Sequence, residues 1–263
     1  MPTIRNIARE KLEQGQLSLG CGVRLTRSVE IAIAMKTAGF DWLFLDLEHG
    51  TMSIDAAAQI ATAALDAGIA PLARVPNGEY AIATRLLDNG VLGIVVPHVD
   101  TPEEAREAVQ KLKYPPIGHR SMGGTGPHYS LRSASTGDAA QALNAANLIV
   151  VMLETPTAIQ NAAAIAAVDG IDVLLVGTND LCAEMGIHGD FGNERVTDAY
   201  RTMIAAARTH SKFSGMAGIY TEPLMQRYIE MGARFILSGN DAAFLMASAS
   251  LRTGFLRKIH TTM

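Results

Sequence analysis

Eight short apolar runs alternate with helical stretches along this chain, and that alternation leaves few folds open to it. The runs span residues 17–23, 42–46, 70–75, 92–96, 148–154, 171–176, 214–219 and 234–238. Each is brief enough to be a buried parallel strand, and the segments between them supply the helical returns that parallel strands require. Ser28 and Ser53 stand where helix N-caps belong. Thr101-Pro102-Glu103-Glu104 offers a cap, a proline at the first helical position and acids facing the helix dipole. Asn89-Gly90, Asp169-Gly170 and Met231-Gly232 close helices just before the next apolar run, as compact connections need. Eight such units within 263 residues favour a closed barrel over an open doubly wound sheet. The expected fold is a single-domain (β/α)8 barrel of the TIM type over residues 1–263.

Two segments interrupt this rhythm. Residues 114–137 form a Gly/Ser/His/Arg-rich insertion between the fourth and fifth strands, and residues 183–193 lengthen the connection after the sixth. Long connections in compact domains are usually functional or mobile. The last helix, expected over residues 241–257, carries Phe244, Leu245, Leu251, Phe255 and Leu256. So apolar a terminal helix suits packing on a neighbouring subunit, or exchange with it, as well as packing on its own barrel.

Composition mainly excludes. A net charge of −4 without a Lys/Arg run argues against nucleic acid as partner. Cys21 and Cys182 lack the spacing of a disulfide framework or a zinc site. The first residues have no apolar core of a signal segment, and no stretch reaches the length of a membrane span. A cytoplasmic protein without membrane association is the expectation.

In a barrel of this kind the chemistry sits at the C-terminal ends of the strands. Those ends read Asp46-Leu47-Glu48-His49, Arg74-Val75-Pro76, Pro97-His98, Glu154-Thr155-Pro156, Gly177-Thr178-Asn179-Asp180 and Ser238-Gly239-Asn240-Asp241. Glu154 and Asp180 fall at equivalent ends of adjacent strands. Two convergent carboxylates suit a divalent metal with oxygen ligands; separately, they would be an exposed acid and a helix cap. His49 beside Asp46 could be a dyad in which the carboxylate sets the imidazole tautomer, or a surface histidine. Arg74 ends an apolar strand, so its guanidinium faces either a developing negative charge or a structural partner such as Glu48 or Glu154. Backbone N–H groups of Gly177, Thr178, Asn179 and Asp180 could cradle a substrate carboxylate or phosphate. No dinucleotide or Walker pattern accompanies them, so no organic cofactor is expected.

At these residues the sequence resembles the HpcH/HpaI family of metal-dependent pyruvate aldolases, over about residues 15–257. The markers are GFDWLFLDLEHG, LARVP, RLLDNGVLGIVVPHVDTPEEA, KYPPIGHR, MLETPTAIQNAAAIAAVDGIDVLLVGTNDL and GARFILSG, in that order. The resemblance implies Glu154 and Asp180 as ligands of Mg²⁺, Mn²⁺ or Co²⁺, Arg74 as the enolate-stabilising cation, and His49 with Asp46 as the dyad. It also implies that Asp88 reaches a neighbouring subunit's site, and hence a homo-oligomer, typically a hexamer. Departures from the family pattern are Leu47 where glycine is usual, Met152 where glutamine is usual, and Thr178-Asn179 in place of Pro-x.

The implied activity is reversible aldol cleavage of a 4-hydroxy-2-oxo acid to pyruvate, or a related 2-oxo acid such as hydroxypyruvate, plus an aldehyde. The base would be metal-bound hydroxide assisted by His49, or His49 itself. No lysine stands at a strand end identified here, which argues against a Schiff base. Two other readings remain: a CoA-ester lyase of the citrate lyase beta-chain type, with Arg120, His128 and Arg132 offered to the anionic tail, and a non-catalytic metabolite-binding barrel.

Overall fold

A computed structural model describes residues 4–260. Its strands are β1 (Ser18–Val23), β2 (Trp42–Asp46), β3 (Ala70–Arg74), β4 (Gly93–Val96), β5 (Leu148–Leu153), β6 (Val173–Gly177), β7 (Phe213–Ala217) and β8 (Phe235–Asn240). All neighbours pair in parallel and β1 also pairs with β8, closing the barrel. The eight apolar runs therefore mark the strands, with ends that differ by two residues or fewer.

Side chains alternate between two cores. One lies inside the barrel and includes Trp42, Phe44, Leu72, Val150, Met152, Leu175 and Phe235. The larger core lies between the strands and the surrounding helices. Trp42 stacks on Phe235 with ring centroids 4.1 Å apart and donates from Nε1 to the Ser18 carbonyl at 3.1 Å. That ring fits only because β1 is built of small residues: a Cβ on Gly20 would lie 2.2 Å from it. Helix Ile7–Glu13, absent from the sequence reading, turns Ala8 and Leu12 toward this interior core. Asn6, at its start, donates to the carbonyls of Leu92 and Ala146 at 3.0 and 2.8 Å. The end of the barrel opposite the mouth is thereby closed.

Helix ends follow expectation at Ser53, whose hydroxyl accepts from Ala56 N–H, and at Thr101, which forms a reciprocal capping box with Glu104. Ser28 is a correction. Helix Glu30–Thr37 starts after Val29, and the Ser28 carbonyl, not its hydroxyl, receives the Ile31 N–H.

The 114–137 insertion is docked rather than loose. It contains a 3-10 turn at Pro127–Tyr129, then leads into helix Thr136–Ala146. Tyr114 exchanges two hydrogen bonds with Asn144, and Lys113 Nζ donates to the carbonyls of Asn144 and Asn147. Arg120 pairs with Asp88 at 2.6 Å, at the end of helix Tyr80–Asp88 that feeds β4, and so lies away from the mouth.

Helix Asp241–His260 runs three residues past the expected end. Leu245, Met246, Leu251, Phe255 and Leu256 on it are each more than half exposed. Among the described residues no helix is long and apolar enough to cross a membrane.

Candidate active site

Strand register sets the site. Asp46 is the direct partner of Arg74 across β2 and β3, and Leu153 is the partner of Val176 across β5 and β6. Each pairing delivers a residue to the same end of the barrel. There a cavity of about 220 Å³ is lined by Asp46, His49, Arg74, Glu154 and the Gly177–Asp180 segment.

Arg74 is the fixed point. Its Nε and Nη2 donate to Asp46 Oδ1 and Oδ2 at 3.1 and 2.8 Å, and Nη1 lies 3.0 Å from Glu48 Oε2. The guanidinium carbon sits 5.1 Å from the centre of the Phe44 ring, so an aromatic face supports it from the barrel interior. Burial alone would raise the Asp46 carboxyl. The Arg74 hydrogen bonds and charge outweigh burial and hold it below the usual carboxylate range. Arg74 is raised in turn, because its acids outweigh its own burial.

Asp46 and His49 are both at the mouth, but the carboxylate is occupied by Arg74 and by the backbone N–H groups of Glu48 and His49 at 3.2 Å. The His49 ring, about half exposed, instead places Nε2 3.7 Å from Glu48 Oε2. That oxygen is buried and has no aligned hydrogen bond among the described residues.

Glu154 is 1% exposed. Its Oε2 accepts from the His98 N–H at 2.9 Å, and His98 Nδ1 lies 3.4 Å away. His98 adopts φ 51°, a conformation a side chain makes costly, and this turn aims its N–H at the carboxylate. Burial, with the nearby Asp180 charge, pushes Glu154 up to about 7 despite the opposing effects of His98 and Arg74. Gly177 makes room for it: a Cβ there would lie 2.3 Å from Glu154 Oε1.

Asp180 does not end a strand. Gly177 ends β6 and precedes helix Thr178–Glu184, which places Asp180 in that helix's first turn. The Thr178 hydroxyl is engaged by the Ala217 carbonyl and Tyr200 hydroxyl at 2.7 and 2.8 Å, whereas Asn179 is exposed at the rim. Asp88 does not line this chain's own mouth.

A divalent cation suits this donor set. Glu154 is a buried carboxylate near a second acid, and a cation between them would offset both the burial penalty and the repulsion. Among the described residues no cluster of three or more His, Cys, Asp or Glu could hold a metal. Two carboxylates leave positions for water and substrate, as Mg²⁺-type sites commonly do.

Two lining residues, Arg24 and Tyr220, were missed at the mouth, whereas Asn240 lines it as the end of β8. Arg24 directly follows β1 and Tyr220 lies just beyond β7, the two strand ends not read for chemistry. Met152, where family resemblance leads one to expect glutamine, puts its sulfur 4.0 Å from Arg74 Nη1.

Comparison with known proteins agrees with this geometry. Residues 25–247 match the family described as HpcH/HpaI aldolase/citrate lyase. The chain is 39% identical to a 4-hydroxy-4-methyl-2-oxoglutarate aldolase of Hapsidospora irregularis, covering 98% of this chain and 97% of that one. It is 34% identical to a 5-keto-4-deoxy-D-glucarate aldolase of Klebsiella pneumoniae, covering 95% and 96%. A crystal structure of an HpcH/HpaI aldolase from Desulfitobacterium hafniense superimposes with TM-score 0.91 at 27% identity, covering 96% and 97%.

Proposed function

This chain belongs to the HpcH/HpaI aldolase/citrate lyase family, and from that premise we propose that it reversibly cleaves 4-hydroxy-2-oxo acids to pyruvate, or a related 2-oxo acid, and a carbonyl compound. Relatives named as aldolases match over nearly its whole length, so it is a carbon–carbon lyase, and the non-catalytic reading is set aside. The observation that carries the proposal is one cavity holding the acid pair Glu154 and Asp180 beside an arginine locked by Asp46.

In this reading Glu154 and Asp180 hold Mg²⁺, Mn²⁺ or Co²⁺. When bound, the cation supplies Lewis-acid polarisation of the 2-keto group. The protein's own residues do the rest. Arg74 offers its charge to the keto oxygen as it becomes an enolate oxygen, and the Asp46 clamp means it need not reorganise to do so. On the His49 side of the mouth the C4 hydroxyl loses its proton. The electrons of the C3–C4 bond pass to C3, the carbonyl product departs, and protonation at C3 completes pyruvate. Glu48 Oε2, 3.7 Å from His49 Nε2, stabilises the ring once it has taken a proton.

We assign the whole chain to one domain and infer a homo-oligomer. The exposed apolar side chains of helix Asp241–His260 support such an assembly, by packing or exchange between copies. Asp88, remote from its own mouth, would then act across the subunit boundary. The function is tested by retro-aldol release of pyruvate from 4-hydroxy-4-methyl-2-oxoglutarate, followed by a coupled dehydrogenase. Steady pyruvate release supports it; no release from any 4-hydroxy-2-oxo acid in a panel contradicts it.

A further inference from the structure

The mouth contains a second arginine that the reaction as described does not use. Arg24 follows β1, and its side chain is 46% exposed. Its Nη2 donates to the His49 carbonyl at 3.2 Å, and its Nε stands 3.7 Å from Asp46 Oδ2, beyond hydrogen-bond distance. The other groups sort into partners. Asp46 and Glu48 face Arg74 at hydrogen-bond distance, and Glu154 with Asp180 are assigned to the cation. Among the described residues lining the cavity, the carboxylate that Arg24 approaches is Asp46, 3.7 Å away and already held at shorter range by Arg74.

The backbone beneath Arg24 is pinned. Asp241, 7% exposed, accepts the N–H groups of Arg24, Leu25 and Thr26 at 2.9, 3.1 and 2.7 Å. These bonds, outweighing burial, hold the Asp241 carboxyl below its usual range. Asp241 also begins helix Asp241–His260, so the terminal helix and the β1 loop are tied at one carboxylate. A half-exposed guanidinium on a fixed backbone is a preorganised receptor for an anion: little ordering remains to be done when one arrives.

We propose that Arg24 is the residue that binds a second carboxylate of the substrate, carried by the half that leaves as the carbonyl product, and so sets the preference for acceptors that bear one. This rests on the aldolase reading above and adds a residue role to it. The first carboxylate belongs to the pyruvate half, next to the keto group, and lies with the acid pair and Arg74. Arg24 and Arg74 both approach Oδ2 of Asp46, so the two positive charges sit on one wall, as a short diacid requires. The acceptor is then a carbonyl compound bearing its own carboxylate, such as a 2-oxo acid. Arg24 is a specificity-determining residue, and Asp241 positions it.

The test uses two acceptors of matched shape with pyruvate as donor: glyoxylate, and isobutyraldehyde, in which an isopropyl group replaces the carboxylate. The readout is the ratio of kcat/KM for the two acceptors, with product identity checked by mass spectrometry. For the wild-type protein the ratio should favour glyoxylate, and Arg24→Gln should lower it by roughly 30-fold or more, the scale of losing a charge-assisted contact that discriminates two ligands. Arg24→Lys, which keeps the charge, should retain most of the preference. If Arg24→Gln lowers both rates equally and leaves the ratio unchanged, Arg24 only braces the His49 loop and the inference is overturned while the aldolase reading stands. If the wild type forms no product with either acceptor, it is the aldolase reading that falls.

Discussion

Arg74 and Asp46 are register partners on adjacent strands, and their side chains close a two-point clamp at 3.1 and 2.8 Å over the mouth of the barrel. The pairing fixes where a positive charge stands before substrate arrives. It also consumes the carboxylate that the sequence reading had offered to His49. Glu48 is shared: its Oε2 stands 3.0 Å from Arg74 Nη1 and 3.7 Å from His49 Nε2, so it links the arginine to the histidine.

Loss of the arginine should act on the chemical step. Arg74→Ala is expected to lower kcat by roughly 10²-fold or more, the usual scale for removing a preorganised charge from a developing oxyanion. Steady-state kinetics with the retro-aldol substrate check this. A rise in KM with kcat intact would make Arg74 a substrate-holding group instead.

Gly177→Ala should disable the site while leaving the barrel folded. Its new Cβ would meet Glu154 Oε1 at 2.3 Å, and Glu154 is too deeply packed to move aside freely. The expected result is loss of divalent-cation binding by calorimetry with a near-native circular dichroism spectrum. Unchanged cation affinity would show that Glu154 is not the ligand.

Stability without added metal should depend on pH through Glu154. Its folded-state value, near 7, lies above the ordinary value of 4.5, so between these limits the folded protein binds the proton more tightly than the unfolded chain. Stability from this group is therefore fully present below about 4.5 and is lost as pH rises toward 7. Thermal melts in chelator should fall across that window. Glu154→Gln should flatten the slope, and an unaltered slope in that variant would assign the effect elsewhere.

Assembly through the last helix is tested by charge. Leu251 is 78% exposed on the single chain, so Leu251→Glu leaves the barrel core untouched. Sedimentation should show the wild type associated and the variant dissociated or in a smaller species. A monomeric wild type would leave the helix without the proposed role.

The strands were legible because buried parallel strands are short apolar runs, and Gly90, Gly170 and Gly232 marked where helices end before the next run. Other features depended on contacts that periodicity does not encode. Helix Ile7–Glu13 offers only two buried side chains, Ala8 and Leu12, too few to stand out as a stripe. Ser28 has the right residue type for a cap but sits one position too early. Asp180 lines the same cavity as Glu154, although through a helix's first turn and not a strand end. Arg24 was in reach of the rule that strand ends carry chemistry, since it follows β1 directly. Its neighbours in sequence, Gly22, Val23 and Leu25, give no sign of a site; the long-range bonds to Asp241 and His49 do.

In the proposed mechanism Glu154 and Asp180 jointly hold a divalent cation needed for carbon–carbon cleavage. The most direct measurement is pyruvate release by chelator-treated protein, repeated after adding back Mg²⁺, Mn²⁺ or Co²⁺, with Glu154→Gln and Asp180→Asn alongside. Activity should be abolished by chelation and restored by at least one of these cations in the wild type, with neither variant rescued. Full activity in the presence of chelator, or metal-restored activity in both variants, would contradict that mechanism.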